Sequence, residues 1–178
     1  MVAGELYNAS DPELANDRRS TRTLLHQLNN SSEDDVPRRK EIQKSLLPKS
    51  DDTLWIEPPF FCDYGYNIHA GEKVFFNFNC VVLDVGIVRI GSRTLIGPAV
   101  QIYTAMHPMD HQERASGLEF SKPVNIGEDV WIGGGAVICP GVTIGDRSII
   151  GAGSVVTKDV PSDVFAAGNP CKVIRKNA

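Results

Sequence analysis

Two patterns of apolar and polar positions divide the chain. Over residues 1–54 apolar residues are sparse and recur at helical spacing. Leu14, Leu24, Leu25 and Leu28 fall on one helical face. Asp11-Pro12-Glu13 precedes them, offering an N-cap, a proline at the first helical position and an acid in the first turn. Asn29-Asn30-Ser31-Ser32 breaks the pattern and predicts a second helix starting near Glu33. Ile42, Leu46 and Leu47 would form its apolar face, and Pro48 would end it. A small helical segment over 1–54 is the expectation.

Over residues 55–178 helical periodicity disappears and a period of six takes over. Consecutive hexads begin at Ile126, Ile132, Ile138, Ile144, Ile150 and Val156. The second position holds Gly127, Gly133, Cys139, Gly145, Gly151 and Thr157, and the fifth holds Val130, Ala136, Val142, Ser148, Ser154 and Val160. Ile90-Gly91, Ile96-Gly97 and Ile102 extend the frame upstream, with Thr94 and Val100 at the fifth position. Ile68, Val74 and Cys80 read as weaker members of an earlier, offset frame. A six-residue period fits neither an amphipathic helix nor a simple alternating strand; it is the signature of a parallel β-helix. In a triangular coil each hexad supplies one short face and one corner. The aliphatic residue stacks on its counterpart about three hexads away, and the small residue admits a sharp turn. A large share of the 16 glycines, such as Gly91, Gly97, Gly127, Gly133, Gly145 and Gly151, therefore marks corners rather than flexible linkers.

The frame opens once. After Ile102 comes Tyr103-Thr104-Ala105-Met106-His107-Pro108-Met109-Asp110-His111, and the repeat resumes near Val124. Residues 105–122 must loop out of the solenoid, and such loops concentrate function. His107 sits where the loop begins. An imidazole is suited to general-base work, because its unperturbed pKa of about 6.5 leaves much of it neutral near pH 7. His111 shares the loop, while His26 and His69 read as structural or solvated.

Charge and cysteine content narrow the class. The net charge of −4 gives no bulk footprint for nucleic acid or an anionic membrane. Against it, residues 157–178 carry Lys158, Lys172, Arg175 and Lys176 opposite only Asp159 and Asp163, a basic strip suited to phosphates. No GxGxxG or P-loop is present. Cys62, Cys80, Cys139 and Cys171 are widely spaced, with no metal-binding spacing, and read as reduced, mostly buried thiols. Met1 to Tyr7 carry no signal-like run, and no segment reaches the ~18 apolar residues of a membrane span; a cytoplasmic chain is expected.

Several motifs, in order along the whole chain, resemble one family. They are Ala3-Gly4-Glu5-Leu6-Tyr7, Ile56-Glu57-Pro58-Pro59, Tyr64-Gly65-Tyr66-Asn67-Ile68, Tyr103-Thr104-Ala105-Met106-His107-Pro108, Val130-Trp131-Ile132-Gly133-Gly134, Val156-Thr157-Lys158-Asp159-Val160-Pro161 and Gly168-Asn169-Pro170-Cys171. Together they resemble the maltose and galactoside O-acetyltransferases among the hexapeptide-repeat acyltransferases. The resemblance implies a left-handed parallel β-helix, a hand the periodicity itself does not give. It implies a homotrimer with active sites between subunits and transfer of acetyl from acetyl-CoA to a sugar hydroxyl, without metal. It makes His107 the catalytic base and Asn77 an acceptor-facing residue that helps stabilise the transition state. It gives Gly134, Ala152, Thr157, Lys158, Lys172 and Arg175 coenzyme contacts, with the Gly134 N–H near the thioester oxygen. Asp11 and Arg18 would reach the sugar; Asp11 is equally explained as an N-cap. Trp131 would wall the acyl channel or pack between subunits. Ala9 and Val85 lack acids found in some galactoside-acetylating relatives, which favours a glucose or maltose type of acceptor.

Other readings remain open at this level. The same chemistry could serve a galactoside, an oligosaccharide or an antibiotic hydroxyl. A non-catalytic trimeric scaffold would bind coenzyme without turnover. A β-helix carbonic anhydrase needs three zinc histidines on adjacent coils, a spacing that His69, His107 and His111 do not offer.

Overall fold

The computed structural model describes residues 1–177. Helix α1 spans Pro12–Asn29, and the Asp11 carboxylate accepts from the Glu13 N–H at 2.9 Å as its N-cap. Helix α2 spans Val36–Leu46, three positions later than the Asn-Ser cluster predicts. The cap is Asp35, whose side chain accepts from the Arg38 N–H, and Pro37 occupies the first turn. A proline in the first turn needs no N–H there, so the helix begins at the residue that suits it. The chain leaves the helix at Leu47, ahead of Pro48, as expected. Leu25, Leu28, Ile42, Leu46 and Leu47 are buried and join the same apolar core as the repeats.

From Trp55 onward the chain winds as a parallel solenoid of triangular section. Face 1 stacks Trp55–Ile56, Phe75–Phe76, Leu95–Ile96, Trp131–Ile132, Ile149–Ile150 and Val164–Ala167, with Lys172–Lys176 added antiparallel at its end. Face 2 stacks Phe60–Cys62, Cys80–Leu83, Gln101–Tyr103, Val137–Ile138 and Val155–Val156. Face 3 stacks Ile68–Ala70, Val88–Ile90, Val124–Ile126 and Thr143–Ile144. The hexad leaders Ile96, Ile102, Ile132, Ile138, Ile144, Ile150 and Val156 are all 1% exposed or less and fill the prism. Polar fifth positions are buried but satisfied: Thr94 donates to the Gly127 carbonyl, Ser148 to Pro161 and Ser154 to Gly151.

Coil length explains the offset frame. Paired residues lie 18 positions apart in the upper coils (132 to 150, 126 to 144) and 20 apart in the lower ones (56 to 76, 76 to 96). The two extra residues enter at the corner between faces 2 and 3. Val74 and Cys80 are not hexad leaders. They precede the leaders Phe76 and Val82 by two and stack with Thr94 and Val100 at the fifth position. Inward-pointing residues alternate along a strand, so a frame read from apolar character alone can lock two residues early.

Candidate active site

The long loop leaves the prism at the corner that carries the extra residues below. Its root is pinned by Thr104, fully buried, which donates to the Leu83 carbonyl at 2.6 Å and accepts from the Gly86 N–H at 2.7 Å. Beyond the root the loop is an ordered ribbon. Ala105–Met106 pairs antiparallel with Leu118–Ser121, and Tyr7–Asn8 of the N-terminal arm pairs along the other edge. A short helix α3 (His111–Ala115) caps the far end, with Asp110 accepting from the Gln112 and Glu113 N–H groups. Arg114 reaches back to the Pro108 and Met109 carbonyls at 3.0 and 3.1 Å, fixing the turn that follows His107. His107 is exposed at the mouth of a pocket of about 320 Å³, whereas His111 faces solvent on α3.

The pocket that His107 lines is charged. Arg18, Arg22 and Asp63 line it, with Tyr7, Tyr64 and Glu119, while Ala9, Leu83, Val85 and Ala105 complete the lining. Arg18 is held by two hydrogen bonds of 2.6 Å, donating to the Tyr64 hydroxyl and the Ala9 carbonyl. Tyr7 donates to Glu119 at 2.8 Å; burial, reinforced by that carboxylate, holds its phenol well above the usual range. Burial raises the Asp63 carboxyl, and the Arg18 and Arg22 guanidiniums offset part of that rise. Beneath the pocket lies Asp84, with no exposed surface. Its Oδ1 accepts from the Asp63 and Tyr64 N–H groups at 3.0 and 2.9 Å, and burial pushes its carboxyl up to about 6. Asp84 thus holds the backbone of the two residues that face the pocket.

Arg18 and His107 share this pocket. Asp11 does not line it; its carboxylate is engaged at the cap of α1. Tyr7, Arg22, Asp63, Tyr64, Asp84 and Glu119 were not singled out from sequence. Tyr7 and Tyr64 each stand in a family-like motif, but nothing in a linear pattern ties residue 7 to residue 119.

The remaining candidates sit elsewhere on the same chain. Asn77 and Gly134 occupy the corner between faces 1 and 2, where Phe78, Pro98, Gly134 and Ala152 stack coil on coil. A Cβ at Gly134 would lie 3.1 Å from the Pro98 carbonyl, and Gly135 and Gly153, both at positive φ, open onto free space. This bare corner lets a ligand approach the backbone closely. Trp131, 54% exposed, stands on face 1 beside it. Thr157 and Lys158 lie above the His107 corner, between faces 2 and 3. Lys172 and Arg175 are exposed on the last strand, with the Arg175 guanidinium 5.6 Å from the Phe165 ring centre. Among the described residues no three histidines, cysteines or carboxylates gather where a metal could bind.

Comparison with known proteins decides the family. Residues 1–51 match the maltose acetyltransferase hexapeptide capping motif, and residues 123–158 match the six-repeat bacterial transferase hexapeptide. The galactoside O-acetyltransferase of Escherichia coli is 43% identical over 98% of this chain and 86% of its own. The chain belongs to the maltose and galactoside acetyltransferase family. The crystal structure of a maltose O-acetyltransferase from Clostridium difficile superposes with a TM-score of 0.97 at 47% identity, covering 99% of this acetyltransferase and 95% of that chain. A galactoside acetyltransferase in complex with coenzyme A gives 0.95 at 43% identity, covering 99% and 88%. The solenoid is accordingly the left-handed β-helix of these acetyltransferases, against the usual right-handed crossover. No helix is long and apolar enough to cross a membrane.

Proposed function

We propose that this acetyltransferase transfers acetyl from acetyl-CoA to a sugar hydroxyl, most simply of a glucose or maltose type. The observation that carries the reading is His107 at the mouth of a charged, hydroxyl-matching pocket, held by an ordered ribbon. Arg18, Asp63 and Glu119 offer both donors and acceptors to an acceptor with several hydroxyls, while Val85 and Ala9 leave one side apolar. His107 takes the proton of the acceptor hydroxyl as that oxygen attacks the thioester carbonyl. The Gly134 N–H and Asn77 meet the negative charge that develops. The intermediate collapses with loss of the coenzyme thiolate, which recovers the proton from His107. Acetyl passes directly from sulfur to oxygen in a ternary complex, and no metal takes part.

Within one chain His107 stands at the corner between faces 2 and 3, whereas Asn77 and Gly134 stand at the corner between faces 1 and 2. The chemistry needs them together, which supports a homotrimer with each active site between neighbours. Coenzyme A would lie between copies, along the bare corner of one with Gly134 and Ala152 beneath it, and with Thr157 and Lys158 above the neighbouring His107 corner, Lys172 and Arg175 also serving its phosphates and pantetheine. Trp131 would pack at that seam. Residues 1–54 act as a helical segment that walls the acceptor side, residues 55–178 form the repeat body, and the protein works in the cytoplasm.

The test is thiol release from acetyl-CoA with glucose, maltose, galactosides and oligosaccharides as acceptors. His107→Ala should lower kcat by roughly 10²–10⁴-fold while coenzyme binding persists. An unchanged rate would remove the base from His107, and turnover absent on every sugar would remove the acceptor class.

A further inference from the structure

The ribbon beside the His107 pocket sets three residues of distant sequence on one rung. Along one edge of its central strand Tyr7 pairs with Glu119. Along the other edge Ala105 pairs with Ser121 and Met106 with Phe120. That antiparallel register, carried one residue further, puts His107 opposite Glu119. Tyr7, Glu119 and His107 all line the same pocket, so their side chains rise from one face of the ribbon. Residues directly opposite on one face of such a pair have Cβ atoms about 4.5–5.5 Å apart.

The two carboxylates of the pocket are differently placed. Asp63 feels both the Arg18 and the Arg22 guanidinium. Glu119 has a neutral partner instead, the Tyr7 phenol, which donates to its Oε2 at 2.8 Å. Burial keeps that phenol protonated. The phenol fixes one oxygen of the carboxylate and leaves Oε1 for another donor. The arm that carries Tyr7 is anchored in turn, because the Ser121 hydroxyl donates to the Met1 carbonyl at 2.9 Å.

We infer that Glu119 is a positioning residue for His107: its carboxylate, steered by Tyr7, faces the imidazole and steadies the positive charge the ring gains on taking the acceptor's proton. This rests on the proposal that His107 is the base. Glu119 itself takes no proton; the proton stays on the imidazole until the departing coenzyme thiolate recovers it. A fixed negative charge beside a forming imidazolium acts more strongly in the transition state than in the ground state, so it raises kcat rather than tightening binding. The N-terminal arm thereby enters the reaction through Tyr7, 112 positions from Glu119 along the chain.

The experiment measures kcat and both KM values for the full-length chain and its variants. Glu119→Gln keeps an oxygen for the Tyr7 phenol and removes only the charge. It should lower kcat roughly tenfold to a hundredfold with KM for acetyl-CoA unchanged. Tyr7→Phe should lower kcat about threefold to tenfold in the wild type, but less than about twofold once Glu119→Gln is present, because it acts through that carboxylate. In a His107→Ala background, Glu119→Gln should leave the residual rate unchanged. Hydrogen-exchange protection of residues 105–121 should match wild type in Glu119→Gln, which separates a lost charge from a lost ribbon. An unchanged kcat, a loss that persists in full without His107, a change confined to the acceptor KM, or a loss of kcat together with ribbon protection each overturns the assignment. If His107→Ala loses kcat while Glu119→Gln does not, only the positioning role falls. If His107→Ala itself leaves kcat unchanged, the base reading falls and this role with it.

Discussion

Two corners of the same prism have been put to opposite uses. The corner between faces 1 and 2 is tight and bare. Gly97, Gly133 and Gly151 turn the chain there, and an added Cβ at Gly133 would sit 2.5 Å from the Ala152 amide nitrogen. The corner between faces 2 and 3 is expanded. It takes two extra residues in each lower coil and the whole 105–122 ribbon in the third. It also buries the Asp84 carboxyl, whose Oδ2 has no hydrogen-bond partner among the described residues. The bare corner costs little and admits a ligand to the backbone. The expanded corner accepts a polar, partly unsatisfied interior and gains a pocket in return. One repeat thus supplies two unlike corners, the two halves of the proposed two-substrate site, by varying only what it does between strands.

Three measurements would break or sharpen this contrast. Gly133→Ala in the tight corner should destabilise by more than about 3 kcal/mol, seen as a lower midpoint of urea unfolding, because the atom it meets is backbone. Gly117→Ala in the ribbon, with open space around it but φ +78°, should cost only about 1 kcal/mol. Equal losses would mean the two regions are not differently packed.

Asp84→Asn probes the expanded corner. The folded carboxyl at about 6 lies above the ordinary value of 3.8, so the folded state holds a proton the unfolded state has lost. That contribution is present in full below about pH 4 and disappears as pH rises through 6, a swing of up to about 3 kcal/mol. The variant can still accept from both N–H groups and has no such titration. Its stability relative to wild type should therefore climb between pH 4 and 7, measured by denaturant unfolding at each pH. A flat difference would show that Asp84 is already ionised at low pH.

The smallest effect is expected at the exposed strip. Lys158→Ala should raise KM for acetyl-CoA roughly threefold to tenfold with kcat unchanged, and the gap should narrow in high salt. A change confined to the acceptor KM would assign Lys158 to the other substrate.

Much of the fold was legible from one-dimensional spacing. Six hexads in unbroken phase require a coil of fixed length, because each leader must stack on another leader. His107 was legible for the same reason: a break in a strict period has a definite position. Asp11 at its cap followed from local chemistry alone. The errors came where local signals tie. Ser32, Asp34 and Asp35 can each begin a helix, and only the placement of Pro37 favours Asp35. Ile68, Val74 and Cys80 point inward as well as the true leaders do, so apolar character could not reveal the phase.

The sequence by itself determined the period, the three faces, the extruded segment and the histidine at its base, since these follow from residue type at fixed spacing. The tertiary structure alone decided which corner each candidate occupies and what surrounds it. Corner identity depends on counting residues around closed coils of 18 or 20, and that count has meaning only once the strands pair. It placed Tyr7 against Glu119 and buried Asp84 under the pocket, both through contacts distant in sequence. It also set His107 and Asn77 on different corners of one chain, a separation that no linear pattern shows.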